Sequence, residues 1–177
     1  MIATSPLLFL EAEQFTTYGG WVLDQQSMDQ MGSPYLLAHG LGRPVADAVT
    51  SLAMPTEGTY RVWVRTRDWV APWGLPGAPG RFQVLVNGVP LAATFGTDGA
   101  EWAWQDGGMI ELPTGQTTLA LHDLTGFEGR CDAVLFSADL AMTPPNTPTA
   151  LARFRRQTLA LPETPAEGGA FDLAARG

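Results

Sequence analysis

Short apolar runs, separated by glycine, proline, asparagine and aspartate, recur along the chain up to about residue 137. In the clearest of them, residues 59–65, the apolar Tyr60, Val62 and Val64 alternate with arginine and tryptophan, and residues 82–86 repeat the alternation. A period of two is typical of a strand with one buried face, and many short strands at this spacing predict a sandwich of two sheets. The predicted strands are LLFLEAEQF (7–15), WVL (21–23), PYLLAH (34–39), DAVTSLAM (47–54), TYRVWVR (59–65), RFQVLVN (81–87), PLAATF (90–95), EWAWQ (101–105), MIELP (109–113), TTLALHD (117–123) and DAVLFS (132–137).

The residues between the runs are those that tight turns prefer. A Glu-Gly pair at 57–58 precedes one strand, and a Thr-Gly pair at 114–115 precedes another. Asn87-Gly88 predicts a two-residue hairpin. No run before residue 140 is long and periodic enough for a helix. We therefore predict an all-β fold, a β-sandwich.

The composition changes after Asp139. Residues 142–149 read MTPPNTPT, a proline-rich stretch typical of a linker, and ALARFRRQTLAL at 150–161 has the pattern of a short helix. The 177 residues, 45% of them hydrophobic, suffice for one domain with a core. We predict a single β-sandwich domain over residues 1–140, followed over residues 141–177 by a linker and a short tail that is either helical or disordered.

The charge excludes one class of partner. The formal net charge is −8, all ten residues counted as lysine or arginine are arginine, and the pI is near 4.5. Such a surface repels a phosphate backbone, so we expect no nucleic-acid partner. No apolar run reaches the length of a membrane span, and MIATSPLLFL lacks the features of a secretory signal, so we expect no membrane contact and no signal peptide in this chain. The single cysteine, Cys131, is expected to be a small buried hydrophobe.

Two glutamates sit in the first apolar run. Glu11 and Glu13 are two residues apart and therefore on one face of the predicted strand. Two carboxylates beside a sheet repel each other, and a hard cation such as Ca²⁺ removes that repulsion when oxygen ligands surround it. Asp132, at the start of the last apolar run, is a candidate third ligand if the first and last strands are neighbours. The pattern equally allows a solvated sheet edge without an ion.

The loop at residues 68–80, DWVAPWGLPGAPG, combines three prolines and three glycines with two tryptophans. Its prolines exclude a central strand and its tryptophans are unusual for a passive linker, so we expect an exposed, stiff loop. Exposed indole faces stack on the C–H groups of sugar rings. Trp69 and Trp73 are therefore candidate sugar ligands, and so are Trp102 and Trp104, which share one strand face. Core packing is the alternative for each of the four.

Polar side chains near these tryptophans could meet sugar hydroxyls. Gln105 and Asp106 directly follow the strand EWAW, and Arg67 precedes the loop. A guanidinium can bind a uronic-acid carboxylate in bidentate fashion, which makes Arg65 and Arg67 candidates for that contact. A surface salt bridge with Glu101 or with the neighbouring aspartate is the alternative, and the one that we favour.

Nothing in the sequence forms a recognisable catalytic constellation. His39 and His122 have no metal-ligand spacing and no nucleophile elbow beside them, so we expect hydrogen-bonded structural histidines. A glycosidase needs an acid and a base that face one cleft. Asp106, Asp123 and Glu128 stand in loop-like segments, but no spacing pairs them. We therefore predict a protein that is not an enzyme.

Several segments taken in order resemble a known family. EAEQF, GSPYL, EGTYRVWVRT, EWAWQ, MIELPTGQTTLALHD and GRCDAVLF resemble the strands of β-jelly-roll carbohydrate-binding modules of families six and thirty-five. The resemblance covers roughly residues 8–137. It implies a galactose-binding-like jelly roll and a polysaccharide or oligosaccharide as the partner.

The same resemblance implies the ligands of two sites. In such modules two opening glutamates and a final-strand aspartate commonly hold a structural calcium, which implies Ca²⁺ at Glu11, Glu13 and Asp132. It also implies that Tyr35 and one tryptophan of the strand EWAWQ, at 101–105, clasp a sugar between them.

A second resemblance concerns the larger protein. GGWVLDQQ, GSPYLLAHGLG, VWVRTRDWV, DLTGFEGRCDA and the tail ARFRRQTLALP also resemble the amino-terminal region ahead of flavin-dependent oxidoreductase domains in bacteria that degrade polysaccharides. In those proteins a glycine-rich nucleotide-binding turn would follow at about Phe171. This sequence contains no GxGxxG, so FAD cannot bind through that motif in the sequence given.

Two hypotheses about function follow. The first is a non-catalytic carbohydrate-binding module of a larger secreted or periplasmic protein, holding a polysaccharide by stacking on Tyr35, Trp69, Trp73 and Trp104. The second is an accessory domain that packs against an adjoining oxidoreductase domain of the flavin-dependent type. An open platform of Trp69 and Trp73 favours the first, whereas a broad apolar patch that includes DLTGFEGR, residues 123–130, favours the second.

Overall fold

The computed structural model describes residues 5–25, 34–74 and 77–152, which form two antiparallel sheets with a shared core. The predicted all-β sandwich is confirmed. No helix in these ranges is long and apolar enough to cross a membrane. The elements found there are β1 (Leu7–Glu11), a 3-10 turn (Ala12–Gln14), β2 (Val22–Asp24), β3 (Tyr35–His39), β4 (Ala48–Met54), β5 (Gly58–Thr66), a second 3-10 turn (Ala71–Trp73), β6 (Phe82–Val86), β7 (Val89–Pro90), β8 (Ala103–Leu112), β9 (Gly115–Asp123) and β10 (Phe127–Ser137).

The first sheet is organised around the last strand. Its order is β2-β3-β10-β5-β8, and β1 also pairs with β10. β5 occupies one edge of β10. The other edge is shared, because β3 pairs with its first half as far as Cys131 and β1 pairs with its second half from Ala133 onward. The first and last strands therefore lie side by side.

The second sheet has the order β4-β9-β6-β7. The predicted hairpin at Asn87-Gly88 joins β6 to β7, with positive φ angles of 52° and 82° at its two central residues. The predicted strand at 90–95 is shorter than expected, because only β7 and an isolated bridge between Phe82 and Phe95 pair there.

The space between the sheets holds the main core. β5 turns Tyr60, Val62 and Val64 into it and β6 turns Phe82 into it, each at most 1% exposed. The alternation read from the sequence therefore marks the inner faces correctly. Burying each such side chain contributes roughly 1.5–3 kcal/mol. Cys131 is also in this core, and burial raises the pKa of its thiol well above the ordinary value.

The outer face of the first sheet is apolar as well, because residues 139–152, here named the C-terminal strap, lie on it. Met142 of the strap packs against a cluster that contains Phe9 and Trp63. Leu151, near the end of the strap, is fully buried. Long apolar side chains on both faces of β5 therefore have partners.

Hydrogen bonds hold the C-terminal strap in place. Arg61 Nη1 donates to the Leu140 carbonyl at 2.9 Å, and Trp104 Nε1 donates to the Pro145 carbonyl at 2.8 Å. Residues 148–152 are helical. The folded unit thus extends past the predicted boundary at residue 140, while 153–177, the rest of the predicted tail, lies outside the described residues.

Besides β7, the largest differences from the predicted strands concern the first strand, β8 and the last strand. The first strand ends at Glu11 instead of Phe15, because the chain turns there into a 3-10 helix. The two strands predicted at 101–105 and 109–113 are one strand, β8, whose register against β5 shifts at a bulge. The last strand begins at Phe127, five residues earlier than predicted.

Candidate functional site

Glu11, Glu13 and Asp132, named here the acid cluster, come together beside β10. A carboxylate oxygen of each lies within 4.8 Å of an oxygen of the other two. Glu11 is 7% exposed and Asp132 is fully buried. Asp132 lies where the partner of β10 changes from β3 to β1, and its register against β5 shifts between Cys131 and Ala133. This bulge and strand change create the position at which the three carboxylates meet.

The two glutamates reach the cluster by a different route from the one predicted. They do not share a strand face, because β1 ends at Glu11 and Glu13 belongs to the turn Ala12–Gln14. Gln14 Oε1 accepts a hydrogen bond from the Glu11 amide at 2.9 Å, and the Tyr18 hydroxyl donates to the Glu13 carbonyl at 2.6 Å. These bonds fix the turn that aims Glu13 at Asp132. Three carboxylates form a hard oxygen donor set of the kind that Ca²⁺ prefers.

A guanidinium contacts the acid cluster from the outer face of the sheet. Arg65 Nη1 donates to Asp132 Oδ2 at 3.0 Å, and the Arg65 side chain is 3% exposed. Arg65 Nε donates to Asn146 Oδ1 of the C-terminal strap at 2.9 Å. Asn146 Nδ2 in turn donates to the Trp102 carbonyl at 3.0 Å. One buried arginine thus joins the acid cluster to the strap.

A cavity of about 360 Å³ lies between the sheet and the strap. Its size falls within the range of small-molecule sites. Two of its lining residues belong to the strap, and three belong to β5 and the loop before β8. The lining residues are Arg65, Glu101, Trp102, Asn146 and Pro148.

Tyr35 and Trp102 do not form an open clasp. Tyr35 is 1% exposed and Trp102 is 4% exposed, and their ring centroids lie 4.9 Å apart in a small cluster with Leu37. Because the two rings contact each other, the predicted insertion of a sugar between them has no room in this arrangement. Burial raises the pKa of the Tyr35 hydroxyl, and nearby Arg130 opposes that rise.

Trp69, Trp73 and Phe127 form an exposed group of rings, named here the aromatic corner. The Trp69 and Phe127 rings are stacked, with centroids 6.2 Å apart and an interplanar angle of 11°. Trp73 meets Trp69 edge to face at 6.2 Å. Trp73 is 68% exposed and Phe127 is 47% exposed. Arg130 lies over Trp69 with its guanidinium carbon 5.3 Å from the ring centroid, within cation–π range.

Local backbone features hold the aromatic corner in place. Trp69 Nε1 donates to the Phe127 carbonyl at 2.9 Å, which ties the long loop to the start of β10. A register shift in β10 at this point, with Glu128 at a φ of 73°, re-aims the chain. Gly80 passes beside the indole, and a Cβ atom there would lie 2.8 Å from Trp69 Cδ1. Only glycine leaves room for the ring.

Arg67 and Arg130 lie near each other and near Tyr35. Burial lowers the pKa of Arg67, and the charge of Arg130 lowers it further. Glu101 and Asp68 act in the opposite direction. The salt bridge predicted for Arg65 with one of these two acids is wrong, because Arg65 pairs with buried Asp132. Arg67 Nε is buried and has no hydrogen-bond partner among the described residues. Arg130 is thus the cation that contacts the aromatic corner, and Arg67 lies near Arg130.

The other predicted sugar-binding residues make structural contacts. The Trp104 ring meets Phe9 edge to face at 6.0 Å beneath the strap. Gln105 Nε2 donates to the Thr94 carbonyl at 2.8 Å. Asp106 pairs with Arg61, and the hydrogen bond from that guanidinium holds the Asp106 pKa below its ordinary value. The structure does not bring these three together with Trp69 and Trp73.

The histidines and the remaining candidate acids also have partners. His122 Nδ1 lies 2.9 Å from Asp47 Oδ1, and His39 is hydrogen-bonded to Glu128. Asp123 is buried, and its carboxylate accepts from backbone amides of the following turn. The acids considered for a glycosidase are thus each engaged separately.

Sequence reasoning missed Phe127, Arg130 and Asn146. Phe127 stands in GFEGR, where an apolar ring between glycines is the one signal that could have drawn attention to it. Arg130 and Asn146 carried no such signal, because their importance depends on neighbours 61 and 81 residues away, Trp69 and Arg65.

Comparisons with solved structures identify the fold. A GH26-CBM35 β-(1,4)-mannanase from Podospora anserina is 19% identical with a TM-score of 0.58, and the match covers 78% of this chain but 29% of that chain. A family 35 carbohydrate-binding module from Clostridium thermocellum is 19% identical with a TM-score of 0.57, over 73% of this chain and 98% of that one. The CBM36-1 domain of a multidomain xylanase from the hindgut metagenome of Trinervitermes trinervoides is 15% identical with a TM-score of 0.53, over 74% and 96%.

The chain therefore has the galactose-binding-like β-sandwich fold of family 35 carbohydrate-binding modules. No protein-family model matches the chain, and no curated protein matches it significantly. The resemblance to regions ahead of flavin-dependent oxidoreductase domains stays a prediction.

Proposed function

We propose that this chain is a non-catalytic carbohydrate-binding module that holds a polysaccharide against its aromatic corner, within a larger secreted or periplasmic glycan-processing protein. The observation that carries the proposal is the exposure of Trp73 and Phe127, 68% and 47%, on a corner braced by Trp69. The fold agrees with it, since the structural neighbours named above are carbohydrate-binding modules, one of them joined to a mannanase.

The chemistry of the aromatic corner suits a sugar chain. A pyranose ring presents a patch of C–H groups that packs on the flat face of an aromatic ring. Arg130 and Arg67 stand nearby as donors for hydroxyl or carboxylate oxygens. An open corner buries little area and leaves many hydroxyls in water, so the dissociation constant should be on the order of micromolar to millimolar.

The proposal includes a structural Ca²⁺ at the acid cluster. Glu11, Glu13 and Asp132 would hold it, and their convergence within 4.8 Å together with their hard oxygen donors supports the assignment. The ion would cross-link the turn after β1 to the middle of β10. Its role is to brace the strands rather than to contact the sugar.

A glycan-array screen of the purified protein tests the proposed function. We expect retention of at least one polysaccharide, lost in the double variant Trp73→Ala/Phe127→Ala. Met109→Ala is the matched control, because Met109 is an equally exposed apolar side chain, at 56%, on β8. Binding that survives in the double variant, or that fails equally in the control, would remove the aromatic corner from the site.

A second candidate function is docking to an adjoining catalytic domain, for which a flavin-dependent oxidoreductase domain is the expected type. The observation that favours it is a set of exposed apolar residues around the aromatic corner. Leu124 is 37% exposed, and Leu41 is 83% exposed in a loop whose Gly40 and Gly42 amides both bond to the Gly126 carbonyl. Such clustering marks interaction surfaces.

One pair of variants separates the two functions. Leu41→Ser and Leu124→Ser remove apolar surface beside the corner without touching its rings. We expect both variants to retain the glycan if the corner is a sugar site. If the array shows no glycan for the natural chain, and the two serine variants weaken association with the adjoining domain of the full-length protein, the docking function is the correct one.

A further inference from the structure

Arg65 occupies a special position, because it contacts the acid cluster and the C-terminal strap at once. Its Nη1 bonds to Asp132 at 3.0 Å, and its Nε bonds to Asn146 at 2.9 Å. Both Arg65 and Asp132 are almost completely buried, so water screens their charges poorly. The guanidinium is therefore a fixed positive charge beside the carboxylates that the proposed Ca²⁺ would share.

A fixed charge discriminates between cations by their valence. The Coulomb energy between the guanidinium and a bound ion is proportional to the charge of that ion. Arg65 thus repels a trivalent ion one and a half times as strongly as a divalent ion at the same place. At the same time it offsets part of the carboxylate charge, so the cluster needs less positive charge from an ion.

We propose that Arg65 sets the charge selectivity of the acid cluster, making it a site for a divalent cation and weakening it for trivalent ones, with Asn146 as the residue that positions the guanidinium. The inference rests on the proposed Ca²⁺ site and adds a specificity-determining residue to it. Asn146 belongs to the strap, so the selectivity depends on a segment outside the two sheets.

Calcium and terbium affinities of defined variants test the proposal. The Tm of the natural chain is measured against increasing CaCl₂ and, separately, TbCl₃, because the rise of Tm with ion concentration reports each affinity even for a variant that is stable only with the ion. Arg65→Gln removes the charge. Asn146→Asp places a carboxylate at the Arg65 Nε and partly cancels the charge at an exposed position. Arg43→Gln, which changes an exposed arginine in the loop between β3 and β4, is the control.

The expected result is a change in the ratio of the two affinities. In Arg65→Gln the preference for Tb³⁺ over Ca²⁺ should rise on the order of tenfold, in Asn146→Asp by a smaller factor, and in Arg43→Gln not at all. An unchanged ratio in both Arg65→Gln and Asn146→Asp would overturn the proposal. If Arg65→Gln does not fold even with ions, an unchanged ratio in Asn146→Asp alone overturns it.

Failure of the calcium assignment looks different. If no ion stabilises the natural chain while Ca²⁺ stabilises Arg65→Gln, the Ca²⁺ of the proposed function is wrong and Arg65 is shown to take the place of an ion. If no ion stabilises any of the four proteins, both the calcium assignment and the selectivity proposal fall. Glycan retention on the array is measured independently of either result.

Discussion

Two tryptophans of this molecule come from loops beside the same sheet and have opposite surroundings. Trp73 is 68% exposed in the aromatic corner, whereas Trp102 is 4% exposed against Tyr35. Both lie in glycine-containing stretches. The difference comes from tertiary packing, since Trp102 is held by Tyr35 and by Asn146 of the strap, while Trp73 meets Trp69 only edge to face. An indole in a loop is a sugar platform only if the rest of the fold leaves its face open.

The largest effect should come from truncating each of these tryptophans in turn. We expect Trp102→Ala to lower the free energy of unfolding by about 3–5 kcal/mol, because it leaves a buried cavity. Trp73→Ala should change it by less than about 0.5 kcal/mol, because the side chain is mostly in water. Urea denaturation measures both. Equal destabilisation by the two variants would contradict the contrast between the two regions.

The next effect concerns the acid cluster, in which Glu11 and Asp132 are buried like Trp102. Saturating Ca²⁺, at a hundredfold its dissociation constant, should raise the free energy of unfolding by about 2.7 kcal/mol, because only the folded chain assembles the three carboxylates. A thermal scan with EGTA and then with excess Ca²⁺ measures it, and Asp132→Asn is the control that should lose the response. A Tm that changes with neither EGTA nor Ca²⁺ would contradict calcium binding at the acid cluster.

A smaller effect should follow from adding a methyl group at Gly80, next to the Trp69 ring of the aromatic corner. In Gly80→Ala the new Cβ would lie 2.8 Å from Trp69 Cδ1, so the indole must shift. We expect a cost of about 1–3 kcal/mol and weaker glycan binding, because Trp69 braces both exposed rings. Denaturation and a binding titration on the same sample measure the two effects. Unchanged glycan affinity would mean that the corner does not depend on the position of Trp69.

The smallest effect concerns the pH dependence of the Arg61–Asp106 pair, which lies away from both regions. Because the pair holds the Asp106 pKa below its ordinary value, its contribution to stability is complete above that ordinary value and is lost as pH falls through the lowered pKa. Both side chains are partly exposed, so the contribution is small. We expect the Tm difference between the natural chain and Asp106→Asn to shrink between pH 5 and pH 2.

That pair also defines the extent of the proposed site. Asp106→Asn should leave glycan binding unchanged, since Asp106 bonds to Arg61 rather than facing the aromatic corner. A widening Tm difference on acidification would contradict the ion pair. Loss of glycan binding would extend the site onto β8.

The sequence predicted the inner faces of the sheets well, and physical reasons explain where it failed. The alternation of Tyr60, Val62 and Val64 identifies a buried face because a strand has a strict period of two. The same pattern cannot tell whether the opposite face is covered. Trp104 looks like an exposed aromatic until the strap is placed over it, and the strap reads as a linker because its contacts lie far away in sequence.

The candidate site was predictable only in part. The first and last strands were expected to be neighbours, and Glu11, Glu13 and Asp132 do converge. The predicted face shared by the two glutamates was wrong, because a 3-10 turn follows β1. Arg65 and Phe127 gained their roles from long-range contacts with Asp132 and Trp69, which no local pattern encodes.

The most direct test of the account follows the indole N–H signals of the chain by ¹⁵N NMR during titration with a glycan retained on the array. We expect the signals of Trp73 and Trp69 to move with a common dissociation constant, while those of buried Trp63 and Trp102 stay in place. Shifts confined to Trp102, or no shift of Trp73 at saturation, would contradict the claim that the exposed aromatic corner binds the sugar.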